Sequence, residues 1–314
     1  MPPTTLMWIV FAALISFMLL IDLSLNRKGR EISFKQAAGW TVVWMLLALL
    51  FGGGIWMTLG QHKALEFLTG YLIEQSLSVD NLFVFIMIFS VFGVRGALQA
   101  KVLKWGIIGA IVMRLLFIFI GAALLKEFQW LFYFFGALLV YTAWKMAFSE
   151  DDEIEPEKNP LVRIARKILP MTRRIRGDWF ITRKMRLWVT SPLFMVLLVV
   201  ESSDLVFAMD SIPAIFAITL DPFIVLTSNI FAIMGLRSLF FLLANLMGMF
   251  IYLKFGIALI LAFVGCKMIL MMLGIHIPIT LSLAVIMVTL AVSVAISLLL
   301  RRPEEDKVLD SANA

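Results

Sequence analysis

The sequence predicts an all-α, polytopic membrane helical bundle of about nine transmembrane helices, with an inverted 3+3 repeat relating helices 3–5 to helices 6–8. Three observations carry this. First, 62% of the 314 residues are apolar and only 15% are charged, far above the ~45–50% apolar share of soluble domains. Second, several apolar runs exceed the ~18 residues that mark a membrane span. Third, two of those runs hold carboxylates at the same spacing, Glu74 with Asp80 and Asp204 with Asp210. An ionised carboxylate at that depth costs at least ~2.5 kcal/mol, so such groups mark a site. Open sheets are excluded because backbone groups in hydrocarbon must be satisfied internally. A barrel is excluded because the apolar runs are continuous, not alternating.

Taken in order, the spans fall at 6–25, 37–59, 65–92, 97–124, 128–147, 191–219, 223–246, 254–273 and 278–299. The first has no Lys or Arg before it, is longer than a signal h-region and lacks a small-residue cleavage site, so it reads as a retained helix. The third and sixth are long; a straight helix of about 28 residues measures ~42 Å, more than a ~30 Å hydrocarbon core needs. Tilt or interruption is expected in both. The chain thus divides into helices 1–5 at 1–147 (first repeat 65–147), a cytoplasmic loop at 148–190, helices 6–9 at 191–300 (second repeat 191–273), and a cytoplasmic tail at 301–314.

Basic residues orient the spans. Arg27, Lys28, Arg30 and Lys35 follow the first span, Arg95, Lys101 and Lys104 follow the third, and Lys158 to Arg186 crowd the 148–190 segment. Lys254, Arg301, Arg302 and Lys307 lie on the same side, and only Lys63 and Lys126 on the other. The positive-inside rule then places the N-terminus outside and the C-terminus in the cytoplasm. The net charge of +6 therefore serves topology and not nucleic acid; the expected partners are membrane lipids and a divalent cation. The 148–190 segment starts acidic, at Glu150 to Glu157, and turns basic. It reads as a solvated linker with a basic segment near anionic headgroups, or as a docking site for a partner. The single cysteine, Cys266, permits no intramolecular disulfide.

The repeat is read from four ionisable positions. Glu74 and Asp80 match Asp204 and Asp210 at an offset of 130. GIIGAIVMR (106–114) matches NIFAIMGLR (229–237) and pairs Arg114 with Arg237, and YTAWKM (141–146) matches FVGCKM (263–268) and pairs Lys145 with Lys267. Three helices per copy make the second copy enter from the opposite side, a mark of secondary transporters with a midplane site.

The site is expected to be oxygen-only. The metal ligands read from the pattern are Glu74, Asp80, Asn81, Glu201, Asp204 and Asp210, with Ser78, Ser211 and Asn229 behind them. Such a set suits Mg²⁺, Ca²⁺ or Mn²⁺. His62 and His276 fall in outer loops, away from it. Helical period puts Glu74, Ser78 and Asn81 on one stripe and Glu201, Asp204 and Ser211 on another, with Asp80 and Asp210 about a third of a turn aside. Asp210 converges only if its helix is interrupted, and Pro213 supplies a reason near Met209. Five carboxylates against Arg114, Arg237, Lys145 and Lys267 leave one net negative charge, which a divalent ion would reverse. The two arginines serve that balance or act as plain structural ion pairs; the two lysines sit near span ends and can snorkel. No nucleophile–base pair or cofactor motif appears, so no enzyme and no tightly bound cofactor is expected.

At GYLIEQSLSVDNLFVF (70–85), VVESSDLVFAMDSIPAIFAI (199–218) and DPFIVLTSNIFAIMGLRSLFFLL (221–243) the sequence resembles the TerC family of integral membrane proteins, most of all its Alx-like branch. The resemblance implies a multi-pass bacterial inner-membrane protein related to LysE-type exporters, exporting Mn²⁺, with the family's membrane acids at Glu74, Asp80, Glu201, Asp204 and Asp210. The alternative it leaves is a non-transporting sensor, redox modulator or docking platform.

Overall fold

The computed structural model describes residues 5–24, 33–148, 180–184, 187–244 and 253–299, with the backbone alone at 22–24, 80, 181–184, 187–189 and 298. The predicted tail 301–314 and most of the 148–190 loop, with its acidic and basic runs, lie outside the described residues.

Ten helices and one hairpin follow in order: α1 (Thr5–Ser24), α2 (Phe34–Leu59), α3 (Gln61–Val91), α4 (Ala97–Glu127), α5 (Leu131–Phe148), β1 (Ile181–Lys184), β2 (Leu187–Thr190), α6 (Pro192–Phe216), α7 (Pro222–Met234), α8 (Leu236–Ala244), α9 (Leu253–Met272) and α10 (Ile279–Leu299). Among the described residues, seven helices are long and apolar enough to cross a membrane, and α7 with α8, bent by 41°, forms either a broken eighth span or a re-entrant pair. The apolar α1 fills the remaining predicted stretch. The antiparallel hairpin, Ile181 opposite Thr190, is the departure from an all-helical chain and lies between spans, in the predicted loop.

Local chemistry sets the helix ends. Ser33 and Gln36 close a capping box at the start of α2. Gly60, at φ 92°, turns α2 straight into α3, a conformation that side chains rarely adopt. Pro192 opens α6 and Pro222 opens α7, where Asp221 Oδ1 accepts the Phe223 N–H at 3.1 Å.

The breaks differ from expectation. α3 is one uninterrupted helix, and α6 runs through Pro213 to Phe216. Pro213 sits in the last turn, where the helix loses one hydrogen bond and the tightly buried run Ile212 to Phe216 holds the backbone. The interruption is in the seventh span, at Gly235. Its N–H donates to Ala232 O at 3.3 Å, a tightened i→i+3 turn, and no Cβ favours continuation. His62 lies in the first turn of α3, not in a loop.

α3, α4, α6 and α7 make the centre, and α5 packs along α9 in the most extensive helix pairing. Five of the central contacts map onto one another under exchange of the predicted copies, whereas the contacts of α2 and α10 with α3 have no such counterpart. Swapping α3 with α6 and α4 with α7 converts the α3–α7 contact into the α4–α6 contact, while α3–α6, α4–α7 and α5–α9 map onto themselves. At the α5–α9 crossing two glycines touch: a Cβ on Gly265 would lie 2.8 Å from Gly136 O, and one on Gly136 3.0 Å from Gly265 O. Small residues are what let membrane helices approach so closely. Gly265→Val is therefore expected to destabilise the detergent-purified protein by about 1–3 kcal/mol, read as a lowered melting temperature; an unchanged melt would contradict this packing.

Two ends of the bundle are defined by contacts. At one, Lys63 meets Asp221, and Tyr133 Oη donates to Met272 O at 3.5 Å, joining the α2–α3, α6–α7, α4–α5 and α9–α10 turns. At the other, the Lys101 ammonium lies 5.3 Å from the Phe180 ring centre, joining the start of α4 to the hairpin.

Candidate functional site

α3 is amphipathic in an unusual sense: its polar stripe faces inward. Glu74, Ser78 and Asn81 are all buried, as the helical period requires of residues on one face. α6 faces it with Asp204 and Ser211, both buried, and Glu201, half-buried. α4 supplies Arg114 and α7 supplies Asn229, each 0% exposed.

These side chains converge on the Arg114 guanidinium. Nη1 pairs with Glu74 Oε1 and donates to Asn229 Oδ1 at 2.6 Å. Asn229 Nδ2 donates to Glu74 Oε2 at 3.3 Å, closing a three-residue ring. Nη2 lies 3.8 Å from Asp204 Oδ1. One carboxylate from each predicted copy thus flanks a single fixed cation. Among the described residues, Arg114 Nε and Nη2 and Ser78 Oγ are buried without a hydrogen-bond partner. Each such group costs about 1–3 kcal/mol, and buried polar groups in a membrane bundle are candidates for a site.

Beside the cluster lies a narrow pocket. Asp204, Glu201 and Arg237 line it with Gly106, and Leu82 and Phe85 form part of its apolar wall. Glu201 lies directly against Gly109, where any Cβ would collide with its carboxylate. Glycines 106 and 109 on α4 therefore make room for an acid on α6.

The predicted site residues are not all gathered. Asp210 turns to α5, where Thr142 Oγ1 donates to its Oδ1 at 3.0 Å. Because α6 stays helical through Pro213, Asp210 keeps its third-of-a-turn displacement, and the expected convergence by interruption does not occur. The side chain of Asp80 lies outside the described residues. Lys145 is exposed near the end of α5, whereas Lys267 is buried and within electrostatic reach of Glu66 on α3. Among the described residues, no three His, Cys, Asp or Glu side chains form a metal-binding group; Arg114 stands between the two acids nearest to one. The sequence reading passed over Thr142, Gly109 and Glu66. Thr142 lies inside the matched YTAWKM segment, and Glu66 is a lone acid in an apolar run, so a signal existed for both.

Fold and site together define a polytopic helical membrane protein with an ionisable centre held inside its bundle. The chain belongs to the integral membrane protein TerC family, whose sequence profile matches residues 59–305. It is 50% identical over 290 residues to a protein of Shigella flexneri named "Putative membrane-bound redox modulator Alx", covering 89% of this chain and 90% of the relative. A protein of the same name from Salmonella typhi is 49% identical over the same length and coverage. An uncharacterized membrane protein of Myxococcus xanthus is 49% identical over 263 residues, 83% of this chain and 82% of its own. No solved structure matches the chain.

Proposed function

We propose that the chain exports a hard divalent cation, Mn²⁺ in the first place, across the bacterial inner membrane by alternating access of two inverted copies. The observation that carries this is Arg114, buried between Glu74 of one copy and Asp204 of the other. A guanidinium held by two acids is the resting state of a cation site with its counter-ion built in. Glu74, Asp204 and Arg114 sum to one negative charge, so an arriving divalent cation is attracted and reverses the sign. Asn229, Ser78 and Ser211 add neutral oxygens, which fits Mn²⁺ or Mg²⁺ better than a thiol- or imidazole-seeking metal. The symmetric pairing of helices supports two copies meeting at this centre. Lys101 beside the hairpin, with Arg95 and Lys104, supports a cytoplasmic position for that end and an outer position for the Lys63–Asp221 end. Cys266, the chain's single cysteine, supplies no intramolecular dithiol for the redox role in the relatives' name.

The test is flux. Purified protein in liposomes loaded in turn with Mn²⁺, Mg²⁺ and Zn²⁺ is expected to release Mn²⁺ faster than protein-free liposomes and to discriminate against Zn²⁺. Release no faster than the protein-free control for every ion would sink the reading.

A further inference from the structure

The two halves of the bundle are closed to different degrees. In the cytoplasmic half, α4 meets α6 at Gly106, where an added Cβ would sit 3.5 Å from Val200 Cγ1, ordinary contact, and the pocket lies alongside. In the outer half the corresponding crossing is tighter: a Cβ on Gly70 of α3 would lie 2.9 Å from Ser228 Oγ of α7. A Cβ on Gly121 would meet Phe216 Cε2 at 2.7 Å. Where α1 and α2 pack on this crossing, the rings of Phe11, Phe51, Phe67, Phe223 and Phe231 interlock at centroid distances of 4.8–6.3 Å. No water path passes between rings packed so closely.

An ion cluster lies over the rings. Lys63 Nζ bridges Glu66 Oε2 at 2.8 Å and Asp221 Oδ2 at 3.1 Å. His62 Nδ1 is 3.3 Å from Glu66 Oε1, and Lys267 of α9 reaches the same acid electrostatically. Asp221 caps α7 with its other oxygen, so one carboxylate both starts α7 and ties it to α3. At the offset of 130 that relates Glu74 to Asp204, the counterparts of Lys63 and Glu66 are Leu193 and Val196. The repeat therefore does not require the tie at these positions.

We infer that Lys63, Glu66 and Asp221 form the latch of an outer gate, with the phenylalanine cluster as its plug, and that α3 and α7 part there when cargo leaves. This rests on the transport reading above, which supplies the cargo. Lys63 is 29% exposed and Asp221 16%. A pair in that setting is weak enough to open and close within a cycle, while the buried rings beneath keep the closed state dry.

Accessibility tests it. In a Cys266→Ser background held in lipid nanodiscs, a reporter Ser228→Cys is attacked by a charged methanethiosulfonate only when the outer half opens. Lys63→Gln and Asp221→Asn, the latter preserving the cap, are expected to raise the labelling rate about two- to fivefold by shifting the closed–open population; Lys63→Arg is expected to leave it near the starting rate. A Val200→Cys reporter in the cytoplasmic half is expected to show no rise. Should Ser228→Cys fail to fold, Thr69→Cys, also fully buried in the outer half, takes its place. Unchanged labelling in both latch variants, or an equal rise at Val200→Cys, would overturn the latch. The readout contains no metal, so a failure of Mn²⁺ flux is recorded separately from a failure of the gate.

Discussion

Arg114→Met is expected to cost about 3–5 kcal/mol of stability, the penalty for leaving one member of a buried pair uncompensated. Glu74 and Arg114 are both 0% exposed, and Asn229 and Ser211 are the neutral side chains that bond Glu74. With the guanidinium gone, neutral donors alone face a buried carboxylate. Methionine keeps the length and most of the volume, so the loss measures charge and not a cavity. The double variant Arg114→Met/Glu74→Gln is expected to recover part of the loss, because the neutral amide no longer needs a counter-ion while Asp204 still lacks one; contacting residues show coupling of this kind. Unfolding of the detergent-solubilised proteins, followed by tryptophan fluorescence, reads both. If single and double variants lose equal stability, Arg114 supports the fold by packing alone.

That pair also shows how far the sequence speaks. The nine apolar stretches, their order and the inward stripe of Glu74, Ser78 and Asn81 follow from length and period, two properties local to each segment. Asn229 was readable because an amide inside an apolar run needs a reason. What the sequence hides is partner choice. Asp210 and Asp204 have equal standing in the repeat, yet one bonds Thr142 of α5 and the other faces Arg114. The choice depends on whether α6 bends. Pro213 argued for a bend and lost, because a proline in the last turn of a well-packed helix breaks little. Gly235 gave no warning of the 41° bend that does occur, since one glycine in an apolar run has many roles. The latch was hidden for another reason. Lys63 and Asp221 look like ordinary charges flanking spans, and only the α3–α7 crossing brings them together.

Under the proposed transport, the difference between the halves would give the site a direction. Two copies related by an internal twofold would offer equal paths to either side if their sequences were identical. Gly106 borders the pocket beside Asp204 in the half that ends at the hairpin, whereas Ser228 on Gly70, the phenylalanines and the Lys63–Asp221 pair fill the other half. On the proposed transport reading, cargo entering the pocket would meet Glu201 and Arg237 first and then Asp204, with Arg114 behind. Two acids ahead of a fixed cation would draw a divalent ion inward.

Asp204→Asn tests that order most directly. The substitution keeps size and leaves the Glu74–Arg114–Asn229 ring intact. The fold is therefore expected to survive, with a melting temperature within a few degrees of the starting protein. The charge of the centre changes from one negative to zero, since Glu74 and Arg114 now cancel. A neutral centre has no net attraction to repay the dehydration of a divalent cation. Mn²⁺ efflux from loaded liposomes is expected to fall to the leak of protein-free liposomes, a larger effect than any stability change accompanying it. Glu201→Gln, at the pocket mouth, is expected to weaken apparent affinity while leaving the rate at saturating Mn²⁺ nearly intact, because it alters approach and not the centre. Full efflux from a folded Asp204→Asn protein would remove Asp204 from the path, and with it the argument that the two copies share one site.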